Sequence, residues 1–169
     1  MKFWRYVICV FAYVCLGALM FTAFGFSAQE GEKSDDVSKK VTSVVTGKSI
    51  EEIDKLEAEK GDDKVTANGI VRKCAHFSIY LLMGIFAYIA IFSTLGKNDA
   101  LCIAIALAIC LIYASSDEIH QYFSGGRTAT ARDVLLDFAG ADIGIFLTYL
   151  IKDKIFDKFF GGMNYGKNS

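Results

Sequence analysis

The sequence contains no proline, and it has only one tryptophan and two histidines. Without proline, its helices lack the residue that most often breaks them. Basic residues are not in excess either, since the formal net charge is −1. Because a protein that binds nucleic acid needs a basic surface to meet the phosphates, nucleic acid is excluded as a partner.

The cysteines fit neither a disulfide framework nor a zinc ribbon. There are five of them, an odd number, and no Cys-x-x-Cys pair occurs. Four lie within apolar runs, so we interpret the cysteines as small apolar packing residues. Cys74 is set apart, because it precedes His76 by two positions among polar residues.

Long apolar runs are the main feature that the sequence does contain. They cover approximately residues 6–26, 75–95, 100–116 and 134–151. A helix needs about 20 apolar residues to cross the bilayer core. The first run follows a basic start that also fits a signal peptide, but a signal peptide has a shorter apolar region, about 7–15 residues. The sequence therefore predicts an all-α integral membrane protein, a bundle of four transmembrane helices forming a single membrane domain over residues 1–169.

The stretch 29–71 differs in kind from these runs. It has no aromatic residue, and its charges are mixed with an acidic excess. We interpret it as a mostly solvated polar loop over one face of the membrane. The alternative for part of it is a short amphipathic helix near 50–60, because Ser49-Ile50-Glu51-Glu52 has the pattern of a capping box.

The basic residues that flank the apolar runs predict the orientation. Lys2 and Arg5 precede the first run, and Lys152 and Lys154 follow the fourth. Tightly flanking charges weigh most, so we place both termini in the cytoplasm, although a raw count of lysines and arginines favours the opposite. The protein is then a multi-pass protein of the cell membrane with an extracytoplasmic polar loop.

Four crossings also bring the polar motifs to one side, whichever way the chain is oriented. The start of the second helix, the end of the third and the start of the fourth must share a membrane face. Ten polar residues meet there: Arg72, His76, Asp117, Glu118, His120, Gln121, Arg127, Arg132, Asp133 and Asp137.

Helical spacing predicts that these residues share a pocket. Arg72, His76 and Tyr80 step by four, as do Asp133 and Asp137, and each set lies on one helix stripe. Charges in lipid are costly, so the stripes are expected to face one another. The structural alternative is that Arg127 and Arg132 pair with the aspartates and tie the helix ends together.

The residue types allow several chemistries. Histidine beside carboxylate suits acid–base work or a divalent metal, and paired arginines suit an anion. We take His120, Asp117 and Glu118 as candidate catalytic residues, and the other seven as candidate binding residues. His120 is expected to matter more than His76, because Asp117 lies one turn away. No cofactor or particular metal is indicated, and no nucleophile elbow supports an acyl-enzyme.

The sequence resembles the VanZ-like family of small bacterial membrane proteins. Three blocks carry the resemblance, and they lie between about residues 20 and 150: Arg72-Lys73-Cys74-Ala75-His76-Phe77, Asp117-Glu118-Ile119-His120-Gln121-Tyr122-Phe123, and Gly126-Arg127 followed by Arg132-Asp133 and Asp137. The stretch Phe26-Ser27-Ala28-Gln29 resembles the Gram-positive branch. The chain departs from the family where Gly125 replaces a usual proline and where Asp142 replaces a small or apolar residue.

The resemblance implies a role at the cell envelope and a contribution to resistance against teicoplanin-type glycopeptides. Our leading hypothesis is an extracytoplasmic pocket that binds an anionic headgroup or cell-wall precursor. One rival is a membrane enzyme that performs acid–base or metal-assisted chemistry on a lipid-linked substrate. A second rival is a non-catalytic structural or interaction protein. All three have the lipid bilayer as a partner.

The topology is tested by cysteine-accessibility labelling in a background without native cysteines. We expect Gly61→Cys and Gly126→Cys to be labelled from outside the cell, and Lys97→Cys and Lys158→Cys only after permeabilisation. Labelling of Gly61→Cys and Gly126→Cys from opposite sides would contradict the four-helix topology itself.

Overall fold

The protein is almost wholly helical in a computed structural model that describes residues 2–27, 31–60, 67–96, 98–123 and 130–160. The helices are α1 (Lys2–Ser27), α2 (Gly31–Thr46), α3 (Ile50–Lys60), α4 (Ala67–Leu95), α5 (Asp99–Phe123) and α6 (Ala131–Phe160).

Four of these helices are long and apolar enough to cross a membrane. The candidate spans are Phe3–Ser27, Ala67–Leu95, Asp99–Phe123 and Ala131–Lys152. The predicted fold class is therefore confirmed. Large apolar side chains such as Phe21, Ile112 and Leu135 are exposed on the outside of the bundle, as a lipid environment requires.

The helices extend beyond the apolar runs because the polar motifs are themselves helical. At 29 residues, α4 is about 43 Å long, which exceeds the roughly 30 Å of the hydrocarbon core. This length allows Arg72 and Lys73, in its second turn, to reach the headgroup region. The end of α5 likewise carries the polar block that begins at Asp117.

The expectation of a mostly solvated loop over 29–71 is wrong, because most of this stretch forms α2 and α3, and the first turns of α4 begin inside it. The capping box forms as predicted: Ser49 Oγ accepts from the Glu52 amide at 3.2 Å, and Glu52 Oε2 accepts from the Ser49 amide at 3.1 Å. An ion pair of 2.6 Å between Lys39 and Asp54 joins α2 to α3.

In the bundle, α4 packs against α1, α5 and α6. The N-terminal end of α1 lies at the C-terminal end of α4, so the two helices are antiparallel. There Arg5 Nε donates to the Ser93 carbonyl at 2.7 Å and Arg5 Nη2 to the Thr94 carbonyl at 3.3 Å. These carbonyls have no partner within their own helix, and the guanidinium caps them. The first apolar run is thus built into the bundle, in keeping with a membrane anchor.

Glycines bring the backbones of α4 and α6 into direct contact. A Cβ atom on Gly140 would lie 2.6 Å from the Phe77 carbonyl oxygen. One on Gly144 would overlap the carbonyl of Leu81, and one on Gly84 would overlap that of Ala141. The predicted small-residue face of the fourth transmembrane helix is therefore its contact face.

Asp142 lies away from this face and is exposed on the outside of α6. The turn of α6 directs Gly140, Ala141 and Gly144 inward and Asp142 outward. The departure at this position does not disturb the helix contact.

A second group of polar contacts joins the helices at the opposite end from the polar motifs. Lys152 Nζ lies 3.0 Å from Asp99 Oδ2, and it also lies 5.3 Å from the centre of the Phe92 ring. Tyr88 donates a hydrogen bond to Asp99 Oδ1 at 3.4 Å. The start of α5 is thereby tied to both α4 and α6.

Two of the cysteines match their predicted role as packing residues. Cys102 and Cys110 are fully buried in the apolar core of the bundle. Cys9 and Cys15 are half-buried, Cys74 is exposed, and all five are free.

The glycine contact predicts the effect of adding a single methyl group. Gly144→Ala should lower the free energy of unfolding by about 1–3 kcal/mol, the usual cost of overpacking, because the new Cβ meets backbone rather than a side chain that can move. Gly17→Ala is the matched control, since a Cβ there meets nothing within 4 Å. Unfolding midpoints in detergent measure the difference, and equal midpoints for the two variants would contradict the contact.

Candidate functional site

The polar motifs converge where α1 and α5 end and where α6 begins. Six side chains interact there, and they form what we call the polar site: Ser27 of α1, His76 and Tyr80 of α4, Asp117 and Gln121 of α5, and Asp137 of α6. Four helices therefore contribute to one site, as the parity of the crossings predicts for three of them.

Asp117 is the centre of this site. It is 2% exposed, and its Oδ2 accepts hydrogen bonds from Ser27 Oγ at 2.8 Å and from Tyr80 Oη at 3.3 Å. Gln121 Nε2 lies 3.5 Å from the same oxygen and donates to Ser27 Oγ at 3.0 Å. All three partners support one oxygen of the carboxylate. The other, Oδ1, is buried and accepts no hydrogen bond from the described residues.

His76 and Asp137 lie directly beside Asp117. His76 Nδ1 is 3.5 Å from Asp137 Oδ2, and Asp137 is only 4% exposed. One ligand-type atom from each of His76, Asp117 and Asp137 lies within 4.8 Å of the others. Two carboxylates and an imidazole from three helices thus share a small buried volume.

Glu118 and Asp133 support the start of α6 instead. Glu118 Oε1 accepts a hydrogen bond from the Thr130 amide at 2.7 Å. Thr130 Oγ1 donates to Asp133 Oδ2 at 2.8 Å and accepts from the Asp133 amide at 3.3 Å, which is an N-cap arrangement. Lys73 Nζ pairs with Asp133 Oδ1 at 3.2 Å. These contacts hold α6 against α4 and α5.

The two histidines have different surroundings. The ring of His120 stacks on Phe24, with centroids 4.4 Å apart and an interplanar angle of 20°. His76, in contrast, is the histidine that belongs to the carboxylate cluster. The structure thus places His76 in the carboxylate cluster, while the greater importance of His120 stays a prediction from sequence spacing.

Neither Arg72 nor Arg132 is among the six interacting side chains of the polar site. Arg72 is half-buried on α4, and Arg132 is exposed in the first turn of α6. Arg127 lies outside the described residues. Within the described chain, the ion pairs at this end are those of Lys73 with Asp133 and His76 with Asp137.

Sequence reasoning missed three contributors: Ser27, Tyr80 and Thr130. Tyr80 was in the stripe with His76 but was not chosen as a site residue. Ser27 ends the first apolar run, and the same parity argument places it at this membrane face. Thr130 gives no comparable signal, because its role depends on the backbone where α6 begins.

The arrangement can act chemically in two ways. The imidazole held against a carboxylate can accept or donate a proton, with Asp137 orienting the ring. The same atoms can also bind a divalent cation. In either case Ser27, Tyr80 and Gln121 hold Asp117 in position through its Oδ2.

The fold and the site together define a small polytopic membrane protein with a buried carboxylate–histidine centre at one end of a four-helix bundle. The sequence model of a family described as VanZ/LLP1 matches residues 3–152, nearly the whole chain. The chain therefore belongs to the VanZ-like family. Searches of curated proteins and of solved structures found no match.

The contact between Glu118 and Thr130 predicts a structural rather than a catalytic effect. Glu118→Ala should lower the free energy of unfolding by about 1–3 kcal/mol, because it leaves the half-buried Thr130 amide without its acceptor. Glu118→Gln keeps an acceptor oxygen and should recover most of the loss. Unfolding midpoints in detergent provide the measurement. Equal destabilisation by both variants would show that the charge of Glu118, not its hydrogen bond, is what counts.

Proposed function

We propose that this VanZ-like protein acts at the cell envelope by binding the phosphate-bearing headgroup of a lipid at the polar site. The observation that supports this function most directly is the cluster of two buried aspartates, Asp117 and Asp137, with the half-buried His76 at the ends of membrane-spanning helices. Charged groups are costly in a membrane bundle, and intramembrane ionisable residues usually serve a ligand or a reaction.

The distribution of charge around the site suggests how a headgroup binds. Arg72 is half-buried one turn before His76 on α4, and Arg132 is exposed in the first turn of α6, at the same end of the bundle. Guanidinium groups suit phosphate, whereas the acidic centre suits hydroxyl or ammonium donors. A headgroup that carries both kinds of group matches this arrangement. Phospholipids and lipid-linked cell-wall precursors are the two sources of such a headgroup.

The basic residues that flank the transmembrane helices support an extracytoplasmic location for the site. The proposal takes both termini as cytoplasmic and the polar site as extracytoplasmic, where cell-wall precursors are used. Binding such a precursor would link the protein to susceptibility to glycopeptides, which act on the same material.

The pair formed by His76 and Asp137 favours a second candidate function, which is acid–base chemistry on the bound headgroup. A carboxylate that orients an imidazole is the usual arrangement for a general base. The two functions differ in their products. Lipid extracts of cells with and without the protein differ in covalent structure only if the protein is an enzyme.

The site predicts which substitutions abolish function. In a strain that lacks the gene, Asp117→Asn and His76→Gln should each fail to restore the wild-type response to teicoplanin, while the protein still accumulates in the membrane. His120→Gln should restore part of the response, because its ring lies against Phe24 rather than among the carboxylates. Growth inhibition and membrane protein level are measured together.

Asp99→Asn is the matched control, since it removes an aspartate charge from the ion pair at the opposite end of the bundle. It is expected to lower stability and to keep the response at a matched protein level. If the response to teicoplanin tracks protein level in every variant, the charges serve only to tie the helices together. That result would overturn the proposed function.

A further inference from the structure

The carboxylate cluster has the composition and spacing of an incomplete coordination shell. His76, Asp117 and Asp137 come from α4, α5 and α6, and a ligand-type atom of each lies within 4.8 Å of the others. Both aspartates are buried, at 2% and 4% exposure. Two buried carboxylates this close repel each other unless something positive lies between them.

The lysine nearest in sequence to His76 does not supply this positive charge. Lys73, one turn before His76, pairs with Asp133 rather than with Asp117 or Asp137. Asp117 Oδ1 is buried and accepts no hydrogen bond from the described residues, although Oδ2 of the same carboxylate accepts from Ser27 and Tyr80. Buried carboxylate oxygens normally have partners. The side chains around Asp117 therefore hold it by Oδ2 and leave Oδ1 able to contact a cation or a hydrogen-bond donor.

We propose that His76, Asp117 and Asp137 bind one divalent cation. One imidazole nitrogen and two carboxylate oxygens suit Zn²⁺ or Mn²⁺, because imidazole favours the first and carboxylate the second. Ligand atoms around a tetrahedral Zn²⁺ lie about 3.3 Å apart. The 3.5 Å between His76 Nδ1 and Asp137 Oδ2 is close to that value, and a carboxylate oxygen of Asp117 lies within 4.8 Å of the ligand atoms of both.

Ser27, Tyr80 and Gln121 have a defined part in this site. Their hydrogen bonds to or beside Asp117 Oδ2 fix the plane of the carboxylate, as second-layer partners of metal ligands commonly do. A serine at the end of α1 is thereby linked to a metal ligand on α5. This link also explains why four helices, rather than three, meet at the site.

Three protein ligands leave a coordination position open for an oxygen of the headgroup phosphate. This part of the inference rests on the proposed function, whereas binding of the cation does not. The cation would neutralise the acidic centre and allow an anionic group to approach it. An acidic centre and an anionic ligand are thus compatible at one site.

Metal binding is tested on the full-length protein, purified in detergent with a tag that contains no histidine and stripped of metal. Titration with ZnCl₂ and, separately, MnCl₂, followed by elemental analysis, should give about one tightly bound ion per chain for one of them. Asp117→Asn and Asp137→Asn should weaken binding by more than the roughly 10–100-fold expected of Ser27→Ala, which loses only a supporting hydrogen bond. Asp99→Asn, at the other end of the bundle, should bind as the wild type does.

Two results would overturn the metal site: no stoichiometric binding of either ion, or equal affinity in the wild type and Asp117→Asn. The second result would locate the ion at other residues. Headgroup binding is measured separately, by native mass spectrometry with vesicle-derived phospholipid or with a polyprenyl-phosphate lipid. Lipid bound without metal would leave the proposed function standing while the metal site fails. If the protein binds metal but neither lipid, the metal site stands and the proposed function fails.

Discussion

Glycines at the contact between α4 and α6 let two helix backbones approach more closely than any side chain would permit, and this approach sets the distances within the polar site. Gly140 lies against the backbone of Phe77, the residue after His76. Asp137 precedes Gly140 by just under one turn, so it is brought to within 3.5 Å of the His76 ring. A wider helix separation would leave the buried Asp137 out of contact with the half-buried His76.

Asp117 shows how the bundle accommodates a buried charge. A carboxylate removed from water needs hydrogen-bond donors, and Ser27 of α1, Tyr80 of α4 and Gln121 of α5 itself supply them. These donors all address one oxygen. Asp117 is thus held firmly while its second oxygen stays available, which is typical of a side chain that serves a ligand and unusual in one that only joins helices.

The two ends of the bundle use charge differently. At one end Arg5 caps α4, and Lys152 pairs with Asp99, so each charge meets a partner of opposite sign or a set of carbonyls. At the other end Glu118 and Asp133 cap α6, but Asp117 and Asp137 gather around His76. The first arrangement joins neighbouring helices to one another. The second concentrates two carboxylates around one imidazole.

Membership of the VanZ-like family extends over nearly the whole of the chain, so the bundle and the polar site belong to the same unit. The glycine contact, the cap on α6 and the hydrogen bonds around Asp117 are then parts of one arrangement. Each fixes the position of a helix end, and together they determine where His76, Asp117 and Asp137 lie.

Much of this architecture could be predicted from the sequence. The number of membrane crossings follows from the length of the apolar runs, because the thickness of the bilayer sets the length of a spanning helix. The common location of the polar motifs follows from counting crossings. The capping box at Ser49 and the glycine face of α6 depend only on local spacing, which a helix converts directly into geometry.

Only the tertiary structure decided which polar residues meet. Spacing along α5 places Asp117, His120 and Gln121 on one stripe, but the rotation of that stripe depends on packing against α1 and α4. Packing turns His120 onto Phe24 and turns Asp117 towards Tyr80. Ser27 joins the site because α1 happens to end beside α5, which no local pattern reveals. The sequence by itself determined that the polar motifs share one end of the bundle, because counting crossings fixes the end of each helix, whereas the distances between helices determined which of their side chains meet.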